Sequence, residues 1–426
     1  MIASYKDALE FLYENLPMFQ RVGAVAFKKD LTNTLRLCKA LGDPHLKFRS
    51  IHVAGTNGKG STCHMLASVF QAAGYRTGLY TSPHLKEFTE RIRVDGEEVS
   101  KEFVLDFVNR IRPQIEEIKP SFFEITVAMA FDYFVARKVD VAVVEVGLGG
   151  RLDSTNIITP VLSVITNISW DHKELLGDTL PKIAFEKAGI IKKNVPVVIS
   201  ERQEKVQHVF EDKARNEGSH IVFASDIYSV KMHDHSMQVL KNNVPFLDHV
   251  HFPLQGAYQR QNVPGVMQAI EALEDEFNIL PEHVRRGLEQ VVSSTGLKGR
   301  WQQIYSNPTV VCDTAHNNSG IEEVMQQIAG QKYRKLSIVW GMNRDKDIDG
   351  ILALLPTHAR YYFCQAKIPR AMDAAMLHEK ASKFGLHGEV VVDVNEAKKR
   401  AMADACPDDF IFIGGSTFVV AEIDEI

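Results

Sequence analysis

"IHVAGTNGKGSTCHML", residues 51–66, is the stretch from which the rest of the chain can be read. The continuous apolar run "SIHVAG" (50–55) suits a strand buried on both faces of a parallel sheet. "KGSTCHMLASVFQAAG" (59–74) then sets apolar residues at helical spacing up to a glycine stop. Strand, glycine loop and helix together form the context in which backbone amides meet a phosphate. Gly55, Gly58 and Gly60 let the backbone approach phosphate oxygens, Lys59 adds a mobile positive charge, and a hydroxyl at Ser61 or Thr62 is available to Mg²⁺. A glycine separates the lysine from the hydroxyl, so the strict GxxxxGK[ST] spacing is not met. Read alone, the stretch is either a nucleotide-binding loop or a ligand-free strand-to-helix turn, and it names no reaction.

Working outward, short β-branched runs alternate with helical patterns. "RTGLYTS" (76–82), "DVAVVEVG" (140–147), "LSVITNI" (162–168) and "VPVVIS" (195–200) are expected to join 50–55 in one parallel sheet. A second series, "TVVCDTA" (309–315), "LSIVWGM" (336–342), "YYFCQA" (361–366), "EVVVDV" (389–394) and "DFIFIGG" (409–415), predicts a smaller doubly wound domain. The polar stretch "SSTGLKGRWQQI" (293–304) is the expected linker, and 219–255 reads as short strands extending the first domain. The fold class is therefore α/β: a parallel-sheet, P-loop-containing domain over 1–296 and a smaller Rossmann-like domain over 297–426.

Composition bounds the function. The 426 residues are 45% hydrophobic and 24% charged, with a formal net charge of −5, as in an ordinary soluble globular protein, and no basic bias recommends nucleic acid as a partner. Cys38, Cys63, Cys312, Cys364 and Cys406 show no CxxC spacing, which argues against a disulfide framework or a zinc site and for a reducing cytoplasm. "MIASYKDALEFLYENL" (1–16) reads as an amphipathic helix rather than a signal peptide, and no apolar run is long enough for a membrane span. Nothing demands more than a monomer.

Four segments besides the loop carry chemistry. In "YTSPHLKEFTERI" (80–92), Ser82 is a candidate cation ligand and Arg91 a candidate anion contact, against the plainer reading of a solvated turn. "VVEVGLGGRLDSTN" (143–156) puts Glu145 at the carboxyl end of an apolar strand, followed by Arg151, Asp153 and Asn156; a carboxylate there is costly to bury without a metal or cation. His172 in "TNISWDHKELLG" (166–177) is either a structural hydrogen-bonder or a ligand. Lys187, in the apolar helix "IAFEKAGII" (183–191), either snorkels to solvent or is chemically special. Ligands of open parallel sheets lie outside the carboxyl ends of the strands, and Gly58, Ser82, Glu145 and His172 each follow a different predicted strand.

With these motifs in order, "HVAGTNGKGST", "TSPHL", "EVGLGGRLDSTN", "SWDH" and "AFEKAGI", the chain resembles the folylpolyglutamate synthase and dihydrofolate synthase family, a branch of the ATP-dependent Mur ligases. The resemblance extends through "GAYQRQN" (256–262), "GRWQ" (299–302) and "DTAHN" (313–317). Two positions depart from it: Tyr258 stands where the family has histidine, and "GGSTFVV" (414–420) differs from the family's pattern there.

The resemblance implies roles. ATP would be held by Gly55, Thr56, Asn57, Gly58, Lys59, Gly60, Ser61, Asn262, Arg300 and Asp313, and two Mg²⁺ ions by Ser82, Glu145 and His172. Lys187 would be carbamylated by CO₂ and, with Lys59 and His172, catalytic. Phe122, Phe123, Glu124, Leu152, Asp153 and Ser154 match the pterin side, and His316 is a candidate for the glutamate side. The implied activity is ATP-dependent ligation of L-glutamate to dihydropteroate, folate or both through an acyl phosphate, the nucleotide lying between domains that close on it. Alternatives are a monofunctional folylpolyglutamate synthase, another Mur-type amino-acid ligase, or a nucleotide-dependent switch that performs no ligation.

Overall fold

The computed structural model describes residues 1–18, 30–233 and 235–426, which divide into two compact units: Met1–Pro253 with Gln259–Gly296, and Leu254–Tyr258 with Leu297–Ile426. The short return at Leu254–Tyr258 belongs to the second unit, a feature that a single boundary at 296 does not include.

In the first unit the strands are β1 (Arg49–Ala54), β2 (Thr77–Tyr80), β3 (Ile92–Val94), β4 (Glu97–Glu98), β5 (Val141–Glu145), β6 (Leu162–Ile165), β7 (Val197–Ile199) and β8 (Ile221–Phe223), in the spatial order β4-β3-β2-β5-β1-β6-β7-β8. β1 lies centrally and pairs in parallel with both β5 and β6, which is why it is apolar on both faces: all but its first residue are buried. β3 and β4 add an antiparallel edge. β9 (Tyr228–His233), β10 (Ser236–Lys241) and β11 (Val244–His251) form a separate antiparallel sheet. The expected extension over 219–255 therefore splits: β8 completes the main sheet and the rest stands apart.

Helices cover the main sheet. The helix Lys59–Ala72 is buried from Ser61 to Phe70, beneath Gln259–Glu271 and Pro281–Thr295. The helix Phe122–Ala136 is apolar nearly all round and correspondingly buried; its start is set by a capping box in which Ser121 and Glu124 exchange hydrogen bonds. The helix Lys101–Ile118 buries Val104, Phe107, Val108, Ile111 and Ile115 in the same core. Each such side chain taken fully from water contributes about 1.5–3 kcal/mol. Tyr5–Asn15 forms the expected N-terminal helix.

The second unit holds β12 (Gln302–Ser306), β13 (Thr309–Cys312), β14 (Leu336–Trp340), β15 (Arg360–Phe363), β16 (Gly388–Val390) and β17 (Phe410–Gly414), ordered β12-β13-β17-β14-β15-β16. β13 to β17 are parallel, as the second series predicts, and β12 is an antiparallel edge. The boundary between the units, Gly296 to Leu297, falls inside the expected linker 293–304, and β12 shortens that linker at its end. That stretch opens in the last turn of Pro281–Thr295 and ends inside a strand, because Gln302 and Gln303 pair with Cys312 and Val311. Its two glycines and polar residues look like a linker, but the pairing strand supplies what hydrophobicity does not.

Candidate active site

The chain leaves β1 into the glycine loop, which the ends of β6 hold in shape. Thr56 N donates to Asn167 O (2.8 Å), Asn57 N to Asn167 Oδ1 (3.0 Å), and Thr166 Oγ1 to Asn57 O (2.6 Å). Gly55 and Gly58 take φ of 144° and 84°, and a Cβ on either would lie 1.8 Å from Thr166 Oγ1 or 2.1 Å from Asn262 Oδ1. Only glycine fits both positions. Ser61 Oγ accepts from Gln259 Nε2 (3.1 Å), whose Oε1 accepts from Asn262 Nδ2 (2.8 Å), so the residues of "QRQN" buttress the loop.

Two lysines meet at this loop. Lys59 Nζ donates to Gly55 O (3.2 Å) and Thr56 O (3.1 Å), while Lys187 Nζ donates to the same Gly55 O (2.8 Å). Lys187 is 4% exposed. Burial foremost, and then the neighbouring Lys59 charge, bring its pKa down to about 7, against an opposing pull from Asp171 and Asp153. Lys187 therefore does not snorkel. Burial has made it special, and its environment ties together the glycine loop, the "SWDH" segment and the "LDS" segment.

Glu145 ends β5 almost fully buried, and its Oε2 accepts from Ser82 N (3.0 Å) at the end of β2. His172 has a left-handed backbone, φ 48°; its amide donates to Asp171 Oδ1 (2.9 Å), and its Nε2 lies 3.7 Å from Asp171 Oδ2. Among the described residues no three His, Cys, Asp or Glu side chains gather into a metal cage. A carboxylate beside a serine suits Mg²⁺, which is ordinarily held by one or two carboxylates together with substrate phosphates and water.

Around the "GLGGRLDSTN" loop, Asp153 is buried and spends its oxygens locally. Oδ2 accepts from Leu148 N (2.8 Å), and Oδ1 from Thr155 N (3.0 Å) and Thr155 Oγ1 (2.5 Å). Thr155 Oγ1 also lies 2.8 Å from His52 Nε2. The hydroxyl has one proton, given to Asp153, so His52 donates from Nε2 and its Nδ1 is left buried without a partner. Burial holds the His52 ring neutral, its pKa lowered to about 3. Sequence reading missed His52 because it lies mid-strand, 103 residues from Thr155.

Phe122 and Phe123 face the same neighbourhood: the Phe123 ring sits against Gly147, and Arg91 Cζ lies 5.3 Å over the Phe122 ring. Arg91 is 3% exposed, with Nε donating to His84 Nδ1 (2.8 Å). The Glu124 carboxylate is engaged by Ser121 N (2.5 Å) and Asn33 Nδ2 (3.4 Å), giving it a structural occupation.

In the second unit, Asp313 directly follows β13. Its Oδ2 accepts from Tyr258 Oη (2.6 Å) and Trp301 N (2.7 Å), and its Oδ1 from Ala315 N (2.8 Å). Arg300 Nη1 donates to Gly299 O (3.3 Å) and to Thr314 Oγ1. His316 Nδ1 lies 3.0 Å from Thr314 O and so donates to it.

Comparison with known proteins follows the same lines. Residues 53–270 match the Mur ligase middle domain and residues 299–417 the Mur ligase glutamate ligase domain. The chain is 32% identical to the dihydrofolate synthase/folylpolyglutamate synthase of Bacillus subtilis over 99% of both. It is 34% identical to a "probable bifunctional folylpolyglutamate synthase/dihydropteroate synthase" of Haloferax volcanii, covering 98% of this chain and spanning only 50% of that relative's length. Among solved structures, Escherichia coli FolC in complex with DHPP and ADP superposes with a TM-score of 0.86 at 30% identity, covering 98% of this chain and 96% of that one. The Yersinia pestis bifunctional enzyme complexed with AMPPNP and Mn ion gives a TM-score of 0.84 at 28% identity, covering 98% and 97%. The chain belongs to the Mur ligase family, in the branch of the dihydrofolate and folylpolyglutamate synthases.

Proposed function

We propose that this chain joins L-glutamate to the carboxylate of dihydropteroate, and further glutamates to reduced folates, with ATP converted to ADP and phosphate. One observation carries the reading. Lys59, the buried Lys187 and the Glu145–Ser82 pair all stand at the carboxyl ends of the central strands or against the glycine loop that follows β1.

A carboxylate is a poor acyl donor to an amine because an oxide would have to leave. Attack of its oxygen on the γ-phosphorus breaks the bond to the β–γ bridging oxygen and releases ADP. The amine of glutamate then adds to the acyl phosphate carbonyl, phosphate leaves with the transferred oxygen, and the amine proton passes to solvent. Two anions must meet in the first step, so this chain's contribution is positive charge and alignment. Lys59 needs only to exchange its two loop carbonyls for phosphate oxygens. The loop amides from Gly55 to Ser61 bind the triphosphate with Asn262, and Arg300 and Asp313 are further ATP contacts.

Ser82, Glu145 and His172 would hold two Mg²⁺ ions, which when bound screen phosphate charge. The AMPPNP and Mn complex of the Yersinia pestis relative supports a divalent metal. Lys187 fits carbamylation: a pKa near 7 leaves much of the amine neutral at neutral pH. Attack on CO₂ forms the N–C bond, expels one proton and replaces a buried cation beside Lys59 with an anion. Leu152, Ser154, Phe122 and Phe123 would seat the pterin, with Asp153 and Glu124 shaping their loop and helix start, and His316 would serve the glutamate side.

The test is ADP release by purified protein with ATP, Mg²⁺ and L-glutamate, offering 7,8-dihydropteroate in one reaction and tetrahydrofolate in another. Turnover with both is expected. Turnover with tetrahydrofolate alone makes the chain a monofunctional folylpolyglutamate synthase, and ATP binding without turnover of either overturns the folate reading.

A further inference from the structure

Tyr258 lies in the short return Leu254–Tyr258, which is fastened to the second unit at both edges. The Gln327 side chain holds its backbone twice, Oε1 accepting from Ala257 N (2.7 Å) and Nε2 donating to Gln255 O (2.8 Å). The Tyr258 ring folds back over Gly256 so closely that a Cβ there would lie 2.5 Å from the ring's Cζ. This fixes the hydroxyl on Asp313 Oδ2 at 2.6 Å. Burial, and then the Asp313 charge, push that hydroxyl well above its ordinary pKa, so it stays a donor.

Asp313 and Arg300 are close enough to feel each other's charge, yet among the described residues Arg300 forms no ion pair with any carboxylate. Its guanidinium is turned instead to Gly299 O and Thr314 Oγ1. The reason is visible at Asp313, where Tyr258, Trp301 and Ala315 already supply donors to both oxygens. With three neutral donors spread over both oxygens and Oδ2 doubly occupied, this carboxylate has less to gain from capturing a nearby guanidinium.

From this geometry we infer that Tyr258 is a positioning residue: by occupying Asp313 Oδ2 it keeps Arg300 from collapsing into an ion pair and leaves the guanidinium available to the nucleotide. The inference rests on the reading of Arg300 as an ATP contact. Without the hydroxyl, Oδ2 loses one donor, and the cheapest replacement is the Arg300 side chain.

The experiment measures KM for ATP, KM for glutamate and kcat in Y258F, R300A and the double variant. R300A is expected to raise KM for ATP by about tenfold or more, and Y258F by about fivefold, with KM for glutamate unchanged. Because Tyr258 acts through Arg300, Y258F adds nothing to KM for ATP once Arg300 is gone, whereas two independent effects would multiply. G256A, whose methyl group displaces the Tyr258 ring, provides a second route and should reproduce the ATP effect. The inference is overturned if Y258F and G256A leave KM for ATP within about twofold of the parent while R300A raises it, if the losses multiply in the double variant, or if all kinetic constants and the melting temperature move together. An unchanged KM for ATP in R300A removes the ATP role of Arg300 and this inference with it, leaving the ligase reading to glutamate-dependent ADP release.

Discussion

The two units are built on the same plan and finish their strands differently. The main sheet of each places apolar parallel strands at the centre, with antiparallel strands only at an edge. At the carboxyl ends of the first unit's strands, charges are gathered: Lys59 and Lys187 share one carbonyl, and buried Glu145 accepts from the amide of Ser82. In the second unit the corresponding carboxylate, Asp313, is filled by neutral donors. Like charges brought together raise the energy of the free protein and are relieved by a ligand of opposite charge, whereas a carboxylate supplied by neutral donors holds a loop in place. The first unit thus concentrates positive charge at its glycine loop, and the second sets Arg300 and His316 beside a hydrogen-bonded Asp313 turn.

This contrast predicts a ranking. Lys59→Met removes the charge proposed to meet the transferring phosphoryl group, and kcat/KM for ATP should fall by about 10³-fold, near 4 kcal/mol, with the melting temperature little changed. An effect below tenfold would make the two units electrostatically equivalent.

Lys187 gives a prediction in pH. Its folded pKa of about 7 lies below the ordinary lysine value of 10.5, so between these values the unfolded chain binds the extra proton and stability rises with pH. The penalty is full below about pH 7 and gone above about pH 10.5. Lys187→Met in CO₂-free buffer should therefore be more stable than the parent at pH 6.5 by about 2–4 kcal/mol, an advantage that shrinks steadily toward pH 10 in denaturant titrations. Bicarbonate should stabilise the parent alone. A gap independent of pH would show that this lysine is not held against its charge.

Glu145→Gln keeps the shape and an acceptor for Ser82 N while removing the charge, and should lower kcat by about 10²-fold and weaken the dependence on Mg²⁺. Smaller still is Thr155→Val, which cuts the bridge from His52 to Asp153 and should cost about 1–2 kcal/mol of stability and raise KM for the pterin substrate severalfold, Thr155→Ser retaining both. A Thr155→Val enzyme with unchanged pterin KM would confine that bridge to the fold.

Sequence alone discloses what local pattern encodes. Apolar runs mark β1, β5, β6 and the second series, and the glycine spacing marks the loop. Hidden were β12, whose polar residues are strand only because β13 pairs with them, and the return at Leu254–Tyr258, set by Gln327 some 70 residues away. His52 and Thr155 show the same limit, since a hydrogen bond across 103 residues leaves no periodicity. The structural duty of Glu124 as a capping residue and the saturation of Asp153 and Asp313 were likewise invisible, because a motif names a residue without saying where its lone pairs go.

The most direct measurement of the proposed chemistry uses a pteroyl substrate labelled with ¹⁸O in the reacting carboxylate. If the carboxylate oxygen attacks the γ-phosphorus, each amide formed delivers one ¹⁸O atom to inorganic phosphate, detected by the isotope shift of its ³¹P resonance. Unlabelled phosphate accompanying amide formation would contradict the acyl phosphate and the role assigned to the charges around the glycine loop.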